Sequence, residues 1–126
     1  MTLAELSKKV EHIESLLKTS QYIEAKNTAF ELLENKEIYS EKEQVAKIYN
    51  FIGTVFAILS DYQKSLENYE IALRYHEEID EKFGIASVLG NIGNVYIYLL
   101  DYEKAIEYIT KAQEIYESID NVLGVA

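Results

Sequence analysis

The sequence predicts an all-α protein built as an array of helical hairpins, and three observations lead to this fold class. The 126 residues include no proline and many strong helix formers, so long uninterrupted helices are expected. Apolar residues recur at spacings of three and four, which is the period of an amphipathic helix. The chain also repeats itself after a shift of 40 residues. A period of this size is typical of a helical solenoid, in which each unit packs only against its neighbours.

Six apolar stripes predict six helices. The second stripe is weaker than the others, but it keeps the helical spacing through Tyr22, Ala25 and Ala29. In chain order the stripes cover residues 3–17, 22–33, 45–59, 62–76, 85–99 and 102–116. Each stripe is expected to be the buried face of one helix.

Chemical signals mark several helix boundaries. Ser40 and Glu43 have the spacing of a capping box, in which a hydroxyl and a carboxylate each bind a free amide at a helix start. Asp61 and Asp101 each precede a new stripe, where a carboxylate can accept from first-turn amides. We therefore predict N-caps at these positions.

The 40-residue register is highly specific. It places Gly53 on Gly93 and Asp61 on Asp101, and it includes all four Asp and four of the five Gly. His76 falls on Tyr116 and is expected to be a packing residue with a polar tip. Two helices per unit follow from this register.

These units resemble the tetratricopeptide repeat (TPR). In one unit the match rests on Leu89, Ile92, Gly93 and Tyr96 in the first helix and on Ala105, Ile109 and Ala112 in the second. The preceding unit repeats it with Tyr49, Ile52, Gly53 and Phe56, then Ser65, Tyr69 and Ala72. The small residues stand where the two helices of a hairpin approach most closely.

The resemblance implies a single domain, 1–126, folded as a right-handed α-solenoid of three helix-turn-helix hairpins. The units are placed at about 3–38, 41–79 and 82–119, and 120–126 is interpreted as the start of a further repeat in a longer protein. The first unit is atypical, because it has His12 and Ile13 at the positions where the other two units have an Ile-Gly pair. The period exceeds the usual length of about 34 residues. Turns at Ile79-Asp80 and Ile119-Asp120 are expected instead of the usual proline.

In TPR arrays the first helix of each unit lines a concave groove, and this implies the candidate site. Seven residues are carried over to it: Lys47, Asn50, Thr54, Ser87, Asn91, Asn94 and Tyr98. Asn is a poor helix former, so its presence within these helices needs an explanation. The amides either bind the backbone of a peptide or bond a neighbouring helix or water.

Composition narrows the range of partners. The net charge of −10 argues against nucleic acids and anionic membranes, which bind Lys and Arg patches. With no Cys and two His, no metal or other cofactor is expected. No catalytic motif is present, and without a signal peptide or membrane segment the expected location is the cytoplasm.

The predicted function is a non-catalytic protein-interaction module that binds a peptide or a partner helix in the groove. Lys47 is the only base among the groove positions, so a basic or apolar peptide suits the site better than an acidic one. Two alternatives remain open. The chain is either a regulatory segment of a larger bacterial kinase or transcription regulator, or a scaffold that self-associates through an uncapped carboxy-terminal repeat.

Overall fold

The computed structural model describes residues 1–122, and six α-helices make up most of this part of the chain. They are α1 (Leu3–Lys18), α2 (Tyr22–Leu33), α3 (Lys42–Ile58), α4 (Tyr62–Glu78), α5 (Lys82–Tyr98) and α6 (Tyr102–Val122). No strand occurs within residues 1–122. The predicted all-α fold and the number of helices are confirmed.

The helices form three antiparallel hairpins stacked in chain order. Helix α1 packs on α2, α3 on α4 and α5 on α6, while α2–α3 and α4–α5 contacts join successive hairpins. The first helices of successive hairpins are also in contact: α1 packs on α3, and α3 packs on α5. The second helices, α2, α4 and α6, contact one another less. The stack therefore curves with α1, α3 and α5 on its concave face.

Close approach within the second and third hairpins depends on glycine. A Cβ at Gly53 would lie 2.6 Å from the ring of Tyr69, and a Cβ at Gly93 would lie 2.6 Å from Ile109. The hydroxyl of Ser65 donates to the carbonyl of Gly53 at 2.7 Å, fixing α4 against α3. The predicted role of the small residues is confirmed.

Four of the turns end their preceding helix in the same way. Ser20, Ser60, Asp80 and Leu100 adopt a positive φ between 50° and 63°. After α3, for example, the Ser60 amide donates to the Ala57 carbonyl and the Asp61 amide to the Phe56 carbonyl. This pair of bonds is a Schellman motif.

The structure supports the N-caps predicted at Asp61 and Asp101. The Asp61 carboxylate accepts from the Lys64 amide at 3.3 Å, and Asp101 accepts from the Lys104 amide at 3.2 Å. Each carboxylate therefore satisfies one amide in the first turn of its helix.

The capping box predicted at Ser40 is wrong. Ser40 ends a short 3-10 helix, Lys36–Ser40, and Glu41 precedes α3 without a side-chain cap. Burial holds this segment, because Ile38 is only 2% exposed and the Tyr39 hydroxyl donates to the Leu33 carbonyl at 2.6 Å.

The turn predicted at Ile119-Asp120 is also absent, since α6 continues to Val122. Residues 123–126, the remainder of the expected further repeat, lie outside the described residues.

Candidate functional site

Two cavities lie on the concave face, and together they contain all seven predicted site residues. The neutral pocket, about 590 Å³, lies between α3 and α5 and is lined in part by Thr54, Asn91, Asn94 and Tyr98. The acidic pocket, about 440 Å³, involves α1 as well and is lined in part by Lys47, Asn50, Ser87, Glu11, Glu14 and Glu81. Both volumes are in the range of ordinary ligand sites.

A hydrogen bond between two asparagines lies where the pockets meet. The Asn91 Nδ2 donates to the Asn50 Oδ1 at 3.0 Å, joining α5 to α3. Of the two explanations for asparagine in these helices, bonding to a neighbouring helix therefore applies to this pair. Each side chain is half-buried and retains hydrogen-bonding capacity toward the groove.

Thr54 and Lys47 are held by neighbours on the protein. The Thr54 hydroxyl lies 3.0 Å from the Asn50 carbonyl oxygen and 2.8 Å from the Tyr69 hydroxyl, and it bonds to both. The Lys47 ammonium is 3.6 Å from the Glu43 carboxylate, one turn earlier in α3. These two residues shape the groove more than they offer free polar atoms.

The remaining predicted residues face solvent. Ser87, Asn94 and Tyr98 are exposed, and the Tyr98 ring stacks on Tyr62 with centroids 5.8 Å apart. Within residues 1–122 the Ser87 and Asn94 side chains make no hydrogen bond to protein. The neutral pocket thus offers an amide beside an aromatic surface.

Helix α1 also contributes to the site, although its sequence pattern does not indicate this. Ser7, Glu11 and Glu14 line the acidic pocket. A second 40-residue shift would have found them, because it carries Lys47 to Ser7 and Thr54 to Glu14. The TPR pattern of α1 is weak, but the 40-residue shift places its buried residues Leu6, Ile13 and Leu16 on Ala46, Gly53 and Phe56, which are buried in α3.

His76 also lines the acidic pocket. It is 3% exposed, and its Nδ1 has no hydrogen-bond partner within the described residues. Its ring lies against Gly84, where any side chain would collide with it. Burial lowers the pKa of the imidazole, while the negative charges of Glu81 and Glu43 act in the opposite direction.

A family model described as tetratricopeptide repeat matches residues 44–118, which run from α3 into α6. The chain belongs to the tetratricopeptide repeat family. TPR units are in general protein–protein interaction modules. No curated protein is significantly similar to the chain.

Two further findings concern metal ligands and membrane-spanning helices. Within residues 1–122 no three His, Asp or Glu side chains are grouped as metal ligands would be. None of the helices in that part of the TPR chain has the length and apolar character needed to cross a membrane.

Proposed function

We propose that this TPR domain binds a peptide or a partner helix along the concave face of α1, α3 and α5. The observation that carries the proposal is that the neutral and acidic pockets adjoin there, on either side of the Asn50–Asn91 bond. A bound segment would place one side chain in each pocket. Its backbone would meet the amides of Asn91 and Asn94.

The neutral pocket supplies the main apolar contact. Tyr98 is 66% exposed and forms one wall with Tyr62, so a ligand would bury aromatic surface that now faces water. Tyrosine is enriched among the residues that dominate interface energies. Asn94 offers an acceptor and two donors beside it.

The test is a selection of random peptides on the purified domain, followed by affinity measurements on a double variant, Asn94→Ala with Tyr98→Ala. Both side chains are exposed, so the variant should keep its helicity, and thermal denaturation measures the small cost of losing the Tyr62–Tyr98 stack. We expect at least about a tenfold loss of affinity, the size typical of an interface hot spot.

A matched control removes the same two side-chain types outside the groove. Asn27 on α2 and Tyr102 at the start of α6 are exposed and line neither pocket. The Asn27→Ala, Tyr102→Ala variant should bind as the native chain does. Equal affinities for the two double variants would contradict the placement of the site.

Self-association is a second candidate function. Ala86, Gly90, Ile109 and Tyr116 line an open depression of about 330 Å³ on the α5–α6 hairpin. The 40-residue shift carries these positions to Ala46, Asn50, Tyr69 and His76. Two of these four residues of the α3–α4 hairpin contact α5. Asn50 is hydrogen-bonded to Asn91, and the ring of His76 packs against Gly84.

We propose that a helical hairpin from a second copy of the chain occupies this depression. Sedimentation over a wide range of protein concentration tests this, and a rising average mass is expected. Tyr116→Lys should reduce the association, since it places a charge in the contact. A constant monomer mass at every concentration would exclude it.

A further inference from the structure

The first hairpin has a polar outer face. In α3 and α5 the residues at the corresponding positions are apolar and at most 2% exposed: Ile48, Ile52 and Val55 in α3, and Val88, Ile92 and Val95 in α5. The 40-residue register places Lys8, His12 and Ser15 of α1 at these positions, and all three are exposed. The α1 face defined by these three residues therefore suits contact with water and not with another hairpin.

The last hairpin keeps an apolar outer face. In α4, Leu66 and Tyr69 belong to the core cluster that Val88 and Ile92 of the next hairpin complete. The register carries Leu66 and Tyr69 to Ile106 and Ile109 of α6. Ile106 is 65% exposed and Ile109 is only half-buried. The surface available for association is therefore at the α5–α6 end of the stack.

The depression on the α5–α6 hairpin is also free of charge. None of the described residues that line it is Asp, Glu, Lys, Arg or His, although the chain has 22 acidic and 12 basic residues. Two copies with a net charge of −10 each repel one another wherever carboxylates approach. In a symmetric contact the same patch is used by both subunits, so an uncharged patch avoids opposing like charges.

The polar groups in the depression can pair with their own kind. Ser87, Asn94 and Gln113 are exposed there, and each side chain has both a donor and an acceptor. The stack already contains an amide–amide bond of this type between successive hairpins, from Asn91 Nδ2 to Asn50 Oδ1 at 3.0 Å. Identical faces of two copies can therefore satisfy each other's polar groups.

Resting on the proposed self-association, we propose that two copies pair through the same face, with the α5–α6 depression of one against that of the other. The pair closes as a dimer, because each copy uses its only matching face. A head-to-tail stack would instead press the depression on the α1 face. That contact would bury the Lys8 ammonium and the His12 ring against apolar side chains, which is costly.

A spin label distinguishes the two arrangements. The chain has no cysteine, so Thr110→Cys accepts a nitroxide at one place. Thr110 is exposed on α6 and does not line the depression. Spin-labelled copies are mixed with 15N-labelled native copies, whose amide signals are recorded by NMR. Signals of α5 and α6 should broaden. Broadening at Lys8 and His12 would overturn the pairing in favour of a head-to-tail stack.

Charge variants test the face itself. Gln113→Glu places a carboxylate in the depression of both copies, so the dimer dissociation constant should rise at least about tenfold. Gln63→Glu makes the same change at an exposed α4 position outside the depression and should have no effect. Mixing Gln113→Glu with Gln113→Lys copies should restore association. Equal dissociation constants for Gln113→Glu and the native chain would contradict the assignment.

Sedimentation separates this inference from the self-association on which it rests. With rising concentration, the average mass should level off at twice the monomer mass. Growth beyond the dimer would overturn the pairing and leave self-association in place. A constant monomer mass, with no broadening from the spin label, would contradict self-association itself and the pairing with it.

Discussion

At the scale of single residues, the glycines of this chain have opposite effects on stability. The Cβ absent from Gly53 would lie 2.6 Å from Tyr69, which is 3% exposed and bonded through its hydroxyl to Thr54. The Cβ absent from Gly90 would meet nothing within 4 Å. One glycine is required for packing, and the other only weakens its helix.

Gly53→Ala should therefore lower the free energy of unfolding by about 1–3 kcal/mol through overpacking. Gly90→Ala should raise it by about 1 kcal/mol, the difference in helix propensity. Urea denaturation followed by circular dichroism measures both. Gly93→Ala should fall between them, because Ile109 is half-buried and can move. Destabilisation by Gly90→Ala would contradict the open space described at that site.

His76 makes stability depend on pH in a defined direction. Burial lowers its pKa below the unfolded value of about 6.5, although Glu81 and Glu43 oppose the shift and Lys47 adds to it. Below that pH the unfolded chain binds more protons than the folded one. The stabilisation from the neutral ring is therefore complete above about pH 6.5 and decreases as the pH falls.

The measurement is the difference in unfolding free energy between the native chain and His76→Phe at several pH values. The unfolding free energy of the native chain minus that of His76→Phe should decrease from pH 7 to pH 5, because only the native chain has a histidine at this position that must stay neutral when folded. Using the difference removes most of the contribution of the many Glu residues, which both proteins share. Parallel stability curves would show that His76 does not titrate differently in the two states.

At the scale of helices and turns, the repeated Schellman motif predicts a stabilising substitution. Leu100 adopts a φ of 62° and is 71% exposed, so its side chain contributes little packing. A left-handed residue with a Cβ costs about 1–2 kcal/mol, and glycine avoids this at a smaller entropic cost. Leu100→Gly should therefore raise stability by about 0.5–1 kcal/mol in thermal denaturation.

Leu99 provides the matched control for this turn. It is the neighbouring residue, is also exposed, and has a φ of −79°, which suits any L-amino acid. Leu99→Gly should lower stability, since it adds entropy to the unfolded chain without relieving strain. The prediction fails if both substitutions shift the melting temperature in the same direction.

Prediction from sequence succeeded where local pattern decides the structure. The apolar period located the helices, and Asp61 and Asp101 cap their helices as expected. It failed between α2 and α3, where burial of Ile38 in the tertiary core fixes a 3-10 helix. Ser40 has the local signature of a cap, but this tertiary contact determines where the segment ends.

The candidate site, too, could be predicted from sequence patterns only in part, because some of its features depend on tertiary contacts. Family register placed Asn50 and Asn91 on the groove, but only the packing of α5 on α3 shows that they bond each other. Likewise, Nδ1 of His76 is buried without a partner because Gly84, in the next hairpin, packs against the ring. Such contacts join residues far apart in the chain, and no local pattern indicates them.

At the scale of the whole molecule, the helices differ in how fully they are enclosed. Helix α3 packs against α1, α2, α4 and α5 as well as the 3-10 helix. Helix α6 packs chiefly on α5, and Ile106 on its surface is 65% exposed. In a solenoid each hairpin is stabilised by its neighbours, so the stability of this molecule should decrease from α3 toward α6.

Native-state hydrogen exchange should show this gradient directly. Because local opening costs less where fewer contacts are broken, amides at 105–112 in α6 should exchange at least about ten times faster than those at 45–56 in α3. Raising the protein concentration adds a second comparison. If a second copy covers the α5–α6 hairpin, protection in α6 should rise with concentration while protection in α3 stays constant. Uniform protection across both helices would mean that the domain opens only as a whole, contrary to a stack held together by neighbour contacts.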